Sequence, residues 1–455
     1  MKNKGTYHAI KVDDLKCIGC THCMRICPTE AIRLKDGKAV INEMRCVDCG
    51  NCLRACPVDA FYVEHDDLSG IGQYKYRVVL FPSVFVGQFP EVYSENNIYA
   101  ALLKLGFTHI YEVEQPVSWL MEAIRNSEEI VAEGPLISSF CPAIVRLIRS
   151  KYPALAGNIS QRKAPHDLAA IFAVENLKKQ GAQPHEIGLF YVTPCSAKMA
   201  AVHQPVAEAE SMITGIISMT DLYNHLMKVI SSSDNQDSSE YRKYLSSEGI
   251  LWSLPRGETS WYGKRSIAID GIHNVVKFLE RLENDEVPKL DFLELRSCKQ
   301  GCAGGILLTG NRFLTAERLQ KRAARYPHST SIDPADGEKE QIIARLCTKE
   351  VEANPVFILD DNRIKAIEKL NKINAIVCQL PGIDCGGCGA PNCHALAEDI
   401  VQGQARMTDC IFLLQEYIRK GKIKPERAGK MMERKWGKNR FDADCNKKGG
   451  RNEGF

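Results

Sequence analysis

The sequence lacks any apolar run of the ~18 to 20 residues that a helix needs to cross a bilayer. Its start, Met1–Gly5, is not followed by an apolar signal region, so secretion is not expected. The 11 histidines form no group at metal-ligand spacing, and no nucleic-acid-binding motif occurs. These absences predict a protein that has no membrane span, binds no nucleic acid and resides in the cytoplasm.

Cysteine is abundant by contrast, with 19 residues in a chain of 455. In a secreted protein this number would suggest disulfides, but here the cysteines cluster at metal-ligand spacings and no export signal occurs. We therefore expect metal clusters in a reducing, anaerobic compartment. A hydrophobic fraction of 44% and a charged fraction of 25% are typical of globular proteins, and the length predicts two to four domains.

Two cysteine runs near the start repeat one spacing, C-x2-C-x2-C-x3-C-P. This spacing is typical of a two-cluster bacterial ferredoxin, in which the fourth cysteine of each run ligates the other cluster. One [4Fe-4S] cluster is therefore predicted on Cys17, Cys20, Cys23 and Cys56, and a second on Cys46, Cys49, Cys52 and Cys27. A pair of zinc sites is the alternative, but zinc has no need of this doubled run with its paired prolines.

From Tyr74 to about Leu359, short apolar strands alternate with amphipathic helices, which predicts an α/β domain. The expected strands are Arg77–Phe81, Leu136–Ser139, Ile187–Val192, Ser266–Ile269 and Leu290–Leu295. The expected helices are Ile98–Leu105, Pro142–Tyr152, His166–Lys179, Thr220–Ile230 and His273–Arg281. In the second helix, the apolar spacing predicts that Arg146, Arg149 and Lys151 face water.

Four more cysteines follow expected strands of this domain: Cys141, Cys195, Cys298 and Cys302. Open α/β sheets bind ligands beyond the carboxyl ends of their strands, and a thiolate just before a helix is stabilised by the helix N-terminus. Any one of these cysteines alone would be interpreted as a small buried hydrophobic residue. Four cysteines at the same structural position predict a shared metal site.

Here the sequence resembles the catalytic domain of the [FeFe]-hydrogenases. Phe140-Cys141-Pro142 is similar to the family's Cys-Cys-Pro motif, and Pro194-Cys195 with Lys198 is similar to its Pro-Cys-x-x-Lys motif. Glu294 with Cys298 and Cys302 is similar to its Glu-x3-Cys-x3-Cys motif. The resemblance implies that the four cysteines hold the cubane of an H-cluster, with Cys302 bridging to the [2Fe] subcluster. It also implies that Lys198 donates a hydrogen bond to a cyanide ligand of that subcluster.

The H-cluster of the family is a [4Fe-4S] cluster bridged to a [2Fe] subcluster that carries CO, cyanide and a dithiolate bridge. The resemblance implies that hydrogenase maturation proteins assemble this group, and that H2 and protons are the substrates. Phe140 stands where hydrogen-producing members have a proton-relaying cysteine, and a phenyl ring cannot carry a proton. Ala201 and Arg296 replace a glutamate and a methionine of the family pattern, and the glycine run after Cys302 is shortened. These departures resemble the divergent branch of the family that is associated with sensing.

Glu122 is the candidate carboxylate of a proton relay, and a solvent-facing helix residue is the alternative interpretation. Near the C-terminus, a Leu-Pro-Gly-x-x-Cys-Gly-x-Cys-Gly stretch resembles the small four-cysteine [4Fe-4S] domain of corrinoid iron–sulfur proteins. The resemblance implies one further cluster, with zinc as the alternative, on Cys385, Cys388, Cys393 and Cys410. Cys347, Cys378 and Cys445 are assigned no role.

The net charge of +3 conceals an asymmetry, because 13 Lys and Arg stand against 5 Asp and Glu from Arg419 onward. We expect a solvated, partly unstructured basic arm there, with a docking surface for an acidic partner as the alternative. The expected fold is multidomain, with α+β and α/β parts. The predicted domains are a two-cluster ferredoxin-like domain (1–73), an α/β hydrogenase-like domain (74–360), a small iron–sulfur domain (361–419) and the arm (420–455).

The resemblance implies an oxidoreductase that converts H2 reversibly into two protons and two electrons. Phe140 predicts that the reaction is slow, which favours a hydrogen or redox sensor whose electrons pass through the [4Fe-4S] clusters. A redox partner such as ferredoxin, or a separate signalling protein, is expected, because no signalling segment is recognisable in the chain. The alternative is a non-catalytic iron–sulfur carrier or assembly factor with cubane clusters only, and retention of Lys198 argues against it.

Overall fold

A computed structural model describes residues 7–126, 134–208, 210–233, 238–262, 264–329 and 345–438. Its strands are β1 (Ile10–Val12), β2 (Ile32–Lys35), β3 (Lys38–Ile41), β4 (Phe61–Val63), β5 (Tyr76–Phe81), β6 (His109–Glu112), β7 (Leu136–Ile137), β8 (Ile187–Thr193), β9 (Gly215–Ser218), β10 (Ser266–Asp270) and β11 (Phe292–Arg296). Its α-helices as far as residue 323 are α1 (His22–Ile26), α2 (Asn51–Ala55), α3 (Ser83–Val86), α4 (Glu95–Lys104), α5 (Val117–Asn126), α6 (Pro142–Lys151), α7 (Pro165–Lys179), α8 (Ser196–His203), α9 (Met219–Leu226), α10 (Ser247–Leu251), α11 (Thr259–Tyr262), α12 (Ile272–Glu283) and α13 (Arg312–Ala323). Beyond them lie helices at Arg363–Val377, Cys393–Val401, Ile411–Arg419 and Pro425–Trp436. None of these described helices is long and apolar enough to cross a membrane.

The chain divides into two compact units. The larger unit contains Met1–Ile10, Val47–Gly50 and Val63–Pro355, and the smaller one contains Lys11–Cys46, Asn51–Tyr62 and Val356–Phe455. Strands and helices alternate along the larger unit, which confirms the expected mixed α/β fold class. The four domain boundaries expected from the sequence stay predictions.

Two parallel sheets organise the larger unit. One sheet has four strands in the order β6-β5-β8-β9, and the other has three in the order β10-β11-β7. Because all strands of a parallel sheet point the same way, the turns that follow them gather at one edge. All seven residues of β8 are buried, as expected for a strand covered on both faces.

The four-stranded sheet is packed on both faces. On β5, Val79 and Phe81 belong to one apolar cluster, whereas Val78 and Leu80 belong to another. Side chains alternate between the faces of a strand, so one continuous apolar run supplies two separate cores. The same alternation occurs on β8, where Phe190 and Val192 join the first cluster and Leu189 and Tyr191 join the second.

The expected strands and helices of this unit are present, with shifted ends. α4 begins three residues before the predicted Ile98, because the Ser94 hydroxyl accepts a hydrogen bond from the Asn97 amide and forms a capping box. β11 begins at Phe292 rather than Leu290. β6 and β9 were not expected, because each is only four residues long and too short to give a clear pattern.

The prediction that Arg146 faces water is wrong. Its guanidinium is buried and donates from Nη1 to Asp48 Oδ2 at 2.6 Å and from Nη2 to the Ala200 carbonyl at 3.3 Å. His8 Nδ1 lies 2.7 Å from the same Asp48 oxygen. Helical periodicity places the side chain correctly off the apolar face, but it carries no information about a carboxylate 98 residues away in the chain.

The smaller unit contains the antiparallel hairpin of β2 and β3 and several short helices. The start of the expected basic arm is not unstructured, because Pro425–Trp436 forms a helix with proline at its first turn. Trp436 donates from Nε1 to the Gly387 carbonyl at 3.2 Å, and the Gly37 amide donates to the Lys435 carbonyl at 3.0 Å. These contacts tie the helix to the rest of the smaller unit. Residues 439–455 lie outside the described part of the chain.

Candidate metal centre

The four cysteines of the proposed centre lie at the carboxyl ends of strands in both sheets of the larger unit. Cys141 precedes α6 as its N-cap residue, after β7, and Cys195 precedes α8 in the same way, after β8. Cys298 and Cys302 follow β11, and Cys302 lies in a short 3₁₀ helix at Gly301–Gly304. Each thiol therefore occupies the same local setting, in which a strand ends and a tight turn or a helix begins.

The electrostatics of the thiols show which of them lie close together. Burial, with smaller contributions from Cys302 and Cys141, raises the pKa of Cys195 to about 12 although the charge of Lys198 lowers it. The pKa of Cys141 is also raised, first by burial, with Cys302 adding to the effect. Cys298 is joined to the same turn, because its carbonyl accepts a hydrogen bond from the Gly301 amide at 3.1 Å. The thiols of Cys141, Cys195 and Cys302 thus share one buried space.

Glycines let neighbouring backbone approach this turn. A Cβ on Gly301 would lie 2.3 Å from the Ser253 carbonyl oxygen, and a Cβ on Gly305 would lie 2.4 Å from the Pro194 carbonyl oxygen. The Cys302 amide donates to that Ser253 carbonyl at 2.8 Å. Gly301 and Gly305, on either side of Cys302, therefore let this turn pack against two other segments of the chain.

Lys198 lies on α8, one turn after Cys195, and only 3% of the residue is exposed. Burial disfavours its charge, but Tyr191, Cys302 and Cys195 outweigh burial and hold the pKa of Lys198 above its ordinary value. The ammonium group therefore stays charged among the thiols. A buried cation at this place favours a ligand that carries negative charge.

Phe140 lies between two cations. The Lys198 ammonium is 4.2 Å from the centroid of its ring, and the Arg296 guanidinium carbon is 4.0 Å from that centroid. The ring is buried, with 6% of the residue exposed. Two cation–π contacts stabilise this arrangement, so Phe140 and Arg296, which both depart from the family pattern, act as a packed pair.

Arg296 also belongs to a buried ionic network. Its Nη2 donates to Glu258 Oε1 at 2.6 Å, and its Nε donates to Glu294 Oε1 at 3.3 Å. Glu258 accepts at 2.8 Å from the Ser138 hydroxyl, which in turn accepts from the Phe140 amide at 3.2 Å. Burial raises the pKa of Glu258 to about 7 despite the opposing charge of Arg296. The network therefore places a carboxyl that titrates near neutral pH beside Phe140.

Replacing Arg296 with methionine, the residue usual in the family, is expected to destabilise the fold by roughly 3 to 5 kcal/mol. The reason is that Glu258 and Glu294 would remain buried without their shared cation. Chemical unfolding of the purified variant measures the change. Arg281→Met, at a side chain that is 63% exposed, is the control and should change stability by less than about 0.5 kcal/mol. A near-neutral Arg296→Met would contradict the ionic account.

A second buried carboxyl lies at the ends of β5 and β6. The Ser83 amide donates to Glu114 Oε2 at 2.8 Å, and the Ser83 hydroxyl donates to Glu112 Oε2 at 2.9 Å. Burial, with the nearby Glu112 charge, raises the pKa of Glu114 to about 8, and the charge of Lys198 lowers it. Glu114 is therefore mostly neutral at pH 7, near the same lysine that faces the thiols.

Glu114 gives a stability prediction with a definite sign. In the folded protein its pKa is about 8, against an ordinary value of 4.5, so the folded state keeps a proton that the unfolded state loses. Stability should therefore fall as pH rises from about 4.5 to 8. Glu114→Gln should remove much of this fall and be more stable than the parent at pH 8, whereas Glu286→Gln, at an exposed carboxyl, should not. Thermal unfolding at pH 5 and pH 8 tests it, and parallel curves for parent and Glu114→Gln would refute it.

The residues present fit an iron–sulfur group. Soft thiolates are the preferred ligands of iron–sulfur clusters, and three cysteine thiols come together here beside one buried ammonium, with Cys298 in the adjoining turn. Within the described residues, Ser253 Oγ, Ser297 Oγ and Arg296 Nη1 are buried without a hydrogen-bond partner. A buried donor without a hydrogen-bond partner destabilises the folded protein unless an acceptor binds it. A group with acceptor ligands would satisfy donors that protein atoms leave unmatched.

Glu122 lies half-buried on α5, and its part in a proton relay stays a prediction. The residues that the sequence did not single out are Ser83, Glu114, Ser138 and Glu258. Glu258 belongs to no motif. Ser83 follows a predicted strand, so a search for polar residues at the carboxyl ends of predicted strands would have found it, whereas Glu114 follows β6, which was not predicted.

The smaller unit holds the first predicted ferredoxin cluster set. Cys17, Cys20, Cys23 and Cys56 line one small cavity. Burial raises the pKa of Cys23 to about 12, and the other three cysteines add to the effect. Amides of Ala39 and Ala60 donate to Cys17 Sγ at 3.4 Å and to Cys56 Sγ at 3.2 Å. The second predicted set, Cys27, Cys46, Cys49 and Cys52, is divided between the two units and stays a prediction.

The C-terminal cysteines also come together within the smaller unit. Burial raises the pKa of Cys388 to about 11, with Cys385 and Cys410 adding to the effect. Cys393 begins its helix within the same apolar cluster as Cys388 and Cys410. The Gly387 amide donates to Cys385 Sγ at 3.4 Å. Amide donors to thiol sulfur are typical of the surroundings of iron–sulfur clusters.

Of the cysteines without an assigned role, Cys347 and Cys378 are exposed. Arg162 Nη1 donates to Cys347 Sγ at 3.0 Å. Cys445 lies outside the described residues. Nothing in these surroundings groups Cys347 or Cys378 with a predicted cluster set, so both keep their unassigned status.

Comparison with known families supports this organisation. Residues 75–251 match the family described as "Iron only hydrogenase large subunit, C-terminal domain". Residues 16–60 match a 4Fe-4S dicluster domain, and residues 380–412 match a family described as an Fe-S cluster. The chain is therefore similar to iron-only hydrogenases over residues 75–251, and it has an N-terminal 4Fe-4S dicluster match and a C-terminal Fe-S match.

Individual relatives are distant. Iron hydrogenase 1 of Clostridium pasteurianum is 27% identical over 134 residues, covering 28% of this chain and 23% of that protein. The periplasmic [Fe] hydrogenase large subunit of Nitratidesulfovibrio vulgaris is 29% identical over 229 residues, covering 45% of this chain and 54% of that protein. The chain thus spans less than two thirds of the length of either curated relative. A solved structure of a HydA1 variant from Chlamydomonas reinhardtii covers 64% of this chain and 98% of its own, with 16% identity and a TM-score of 0.47.

Proposed function

We propose that this protein binds an H-cluster and reacts reversibly but slowly with H2, as a hydrogen or redox sensor in the cytoplasm. The observation that carries the proposal is the convergence of the half-buried Cys141, Cys195 and Cys302 around Lys198, which is 3% exposed. The overall reaction is H2 to two protons and two electrons. The electrons would leave through the [4Fe-4S] clusters to a redox partner such as ferredoxin or to a signalling protein.

Each residue of the centre has a role in this proposal. Cys141, Cys195, Cys298 and Cys302 would hold the cubane, with Cys302 as the bridge to the [2Fe] subcluster. Lys198 would donate a hydrogen bond to a cyanide ligand of that subcluster. When bound, the group supplies the iron atoms and the bridging amine at which hydrogen is split. The protein supplies ligation, a dry pocket and a route for protons.

Phe140 accounts for the low rate. Its ring fills the place of the cysteine that relays protons in hydrogen-producing members, and it holds that place through contacts to Lys198 and Arg296. A phenyl ring neither accepts nor donates a proton, so protons must travel another way.

The network around Glu258 supplies such a way. Ser138, Phe140 and Glu258 line a cavity of about 20 Å³, which is about the size of one water molecule. Glu258 hydrogen-bonds the Ser138 hydroxyl, and its pKa of about 7 lets it exchange a proton near neutral pH. We infer that Glu258 takes the place of the missing relay cysteine in accepting protons, through water in this cavity.

Glu258→Gln should therefore lower hydrogen uptake by about tenfold or more, since glutamine keeps the shape but cannot accept a proton. The limb of the pH–rate profile near pH 7 should disappear with it. Hydrogen-dependent dye reduction by the maturated protein measures both. Glu286→Gln, at an exposed carboxyl, is the matched control and should leave rate and profile unchanged. Glu122→Gln tests the other predicted relay carboxylate. Loss of activity in Glu122→Gln, with Glu258→Gln unaffected, would refute the Glu258 route.

A carrier or assembly factor with cubane clusters only is the second candidate function. It is favoured by Phe140 and Ala201, which stand where the family pattern has a cysteine and a glutamate close to the proposed subcluster. Lys198 opposes it, because a cubane alone has no cyanide ligand for this buried ammonium to bind. Hydrogen uptake decides between the two functions. Slow, reproducible uptake by maturated protein supports the sensor, and complete inactivity of protein that carries the [2Fe] subcluster contradicts it.

A further inference from the structure

A cavity of about 520 Å³ lies in the larger unit, away from the cysteines of the proposed centre. Its walls are the start of α4, the loop that follows α3, and one face of α13. Four cations project from α13 at spacings of three, four and seven residues, so they share one helix face. These are Arg318, Lys321, Arg322 and Arg325, and Arg242 lines the cavity with them.

Carboxylates of the wall do not balance these cations. Glu91 and Glu95 line the cavity beside the five basic side chains. Glu95 alone accepts from Arg242 at 3.3 Å, Arg322 at 3.0 Å and Arg325 at 3.3 Å. Although burial raises it, Arg322, the Tyr326 hydroxyl and Arg242 lower the pKa of Glu95 to about 2. Lys321 pairs with Glu91 at 3.0 Å and with Glu317 at 2.7 Å, and Arg322 also pairs with Glu112. Five basic side chains thus stand against four carboxylates, and a small excess of positive charge remains at the cavity.

Two of the cations have unused donor capacity. Arg318 Nη1 is 3.3 Å from the Gly87 carbonyl oxygen and 3.4 Å from the Gln88 carbonyl oxygen, which are long hydrogen bonds. The side chain of Arg322 is 3% exposed, and its Nε has no hydrogen-bond partner among the described residues. A buried guanidinium nitrogen without an acceptor is costly, so an oxygen-bearing ligand would relieve it.

We propose that this cavity binds a small polyanion that carries two or more phosphate or carboxylate groups. Guanidinium forks match the paired oxygens of both groups, and the volume lies within the range of small-molecule sites. The Lys321 and Arg325 side chains are 60% and 69% exposed, so their charges remain accessible to a ligand with more than one anionic group. The site is separate from the cluster ligands and needs no metal to form.

Hydrogen bonds lead from the cavity to Glu114, on which the charge of Lys198 acts. Arg322 donates to Glu112 from Nη1 at 2.7 Å and from Nη2 at 2.5 Å. Ser83 donates to Glu112 and to Glu114, and the charge of Lys198 acts on Glu114. A polyanion that binds Arg322 therefore competes with Glu112 for this guanidinium. Glu112 is connected to Lys198 through Ser83 and Glu114. The coupling, unlike the binding site itself, rests on the proposed function.

Calorimetric titration of the purified, cluster-containing full chain with pyrophosphate, and separately with citrate, tests the site at 150 mM salt. Dissociation constants below about 1 mM are expected for at least one probe, and their ratio tells phosphate from carboxylate recognition. Arg318→Gln with Lys321→Gln should weaken binding at least about tenfold. Lys277→Gln with Arg281→Gln removes the same charge from the exposed face of α12 and should leave binding unchanged. Absence of binding, or equal losses in both double variants, would overturn the site.

Repeating the titration before and after maturation tests the coupling separately. Linkage requires that if the polyanion influences the loaded centre, loading changes the affinity for the polyanion by the same factor. We expect a change of at least about threefold. Equal affinity in the two forms would overturn the coupling and leave the binding site standing, whereas a protein that never acquires the [2Fe] subcluster would fail the proposed function instead.

Discussion

Lys198→Met is expected to abolish stable retention of the [2Fe] subcluster while the cubane remains. Methionine has nearly the length of lysine but no charge and no strong donor, and the side chain it replaces is buried among Cys195, Cys302 and Tyr191. The four thiolates do not depend on the ammonium for coordination. The charged subcluster does, because a buried anion needs a paired cation or hydrogen-bond donors.

Infrared bands of CO and cyanide should therefore fall to the background in maturated Lys198→Met, while the electron paramagnetic resonance of the reduced cubane persists. Lys151→Met, at a partly exposed lysine that pairs with Glu280, is the matched control and should keep both signals. Full infrared intensity in Lys198→Met would show that the lysine does not hold the subcluster. Loss of both signals would indicate a general defect in cluster assembly and would contradict the separate roles given to lysine and thiolates.

Phe140→Cys is expected to raise hydrogen turnover by about tenfold or more, because it returns a proton-carrying group to the position beside Lys198. The change also removes a ring packed between Lys198 and Arg296. Truncating a buried phenylalanine typically costs roughly 3 to 5 kcal/mol, so the variant should be faster but less stable. Hydrogen uptake and thermal unfolding of the same preparation measure both effects.

Phe140→Ala distinguishes an effect of proton transfer from an effect of the space that the ring occupies. It opens a similar cavity and loses the same cation–π contacts, but it adds no group that exchanges a proton. Turnover in Phe140→Ala should stay at the parent level apart from a general loss of stability. If alanine accelerated the reaction as much as cysteine, the ring would be limiting access to the centre rather than proton transfer, and the account of Phe140 would be wrong.

The parts of this protein that local rules govern could be predicted from its sequence. Strand ends that carry Cys141 and Cys195 follow from an apolar run, a cysteine and a helix start, all within about ten residues. The ferredoxin run and the C-terminal cysteines are likewise local spacings, and residues 16–60 and 380–412 match iron–sulfur families. Cluster ligation leaves a regular pattern, since each cluster needs cysteines at fixed separations.

Interactions between distant residues could not be predicted in the same way. Arg296 and Glu258 are 38 residues apart, and Arg146 and Asp48 are 98 residues apart. Each pair joins segments that only the folded chain brings together. Arg296 directly follows the predicted strand Leu290–Leu295, and a charge next to such an apolar run requires a partner if the strand is buried, as β11 is. The sequence could indicate that a partner exists, but it could not identify Glu258.

The infrared spectrum of the maturated parent protein tests the central claim most directly. Protein produced together with hydrogenase maturation proteins should show the CO and cyanide bands of a [2Fe] subcluster, and those bands should shift when H2 is added. Their presence would support a hydrogen-reacting centre held by Cys141, Cys195, Cys298, Cys302 and Lys198. Intact cubane signals without any CO or cyanide band would contradict it and would favour the iron–sulfur carrier.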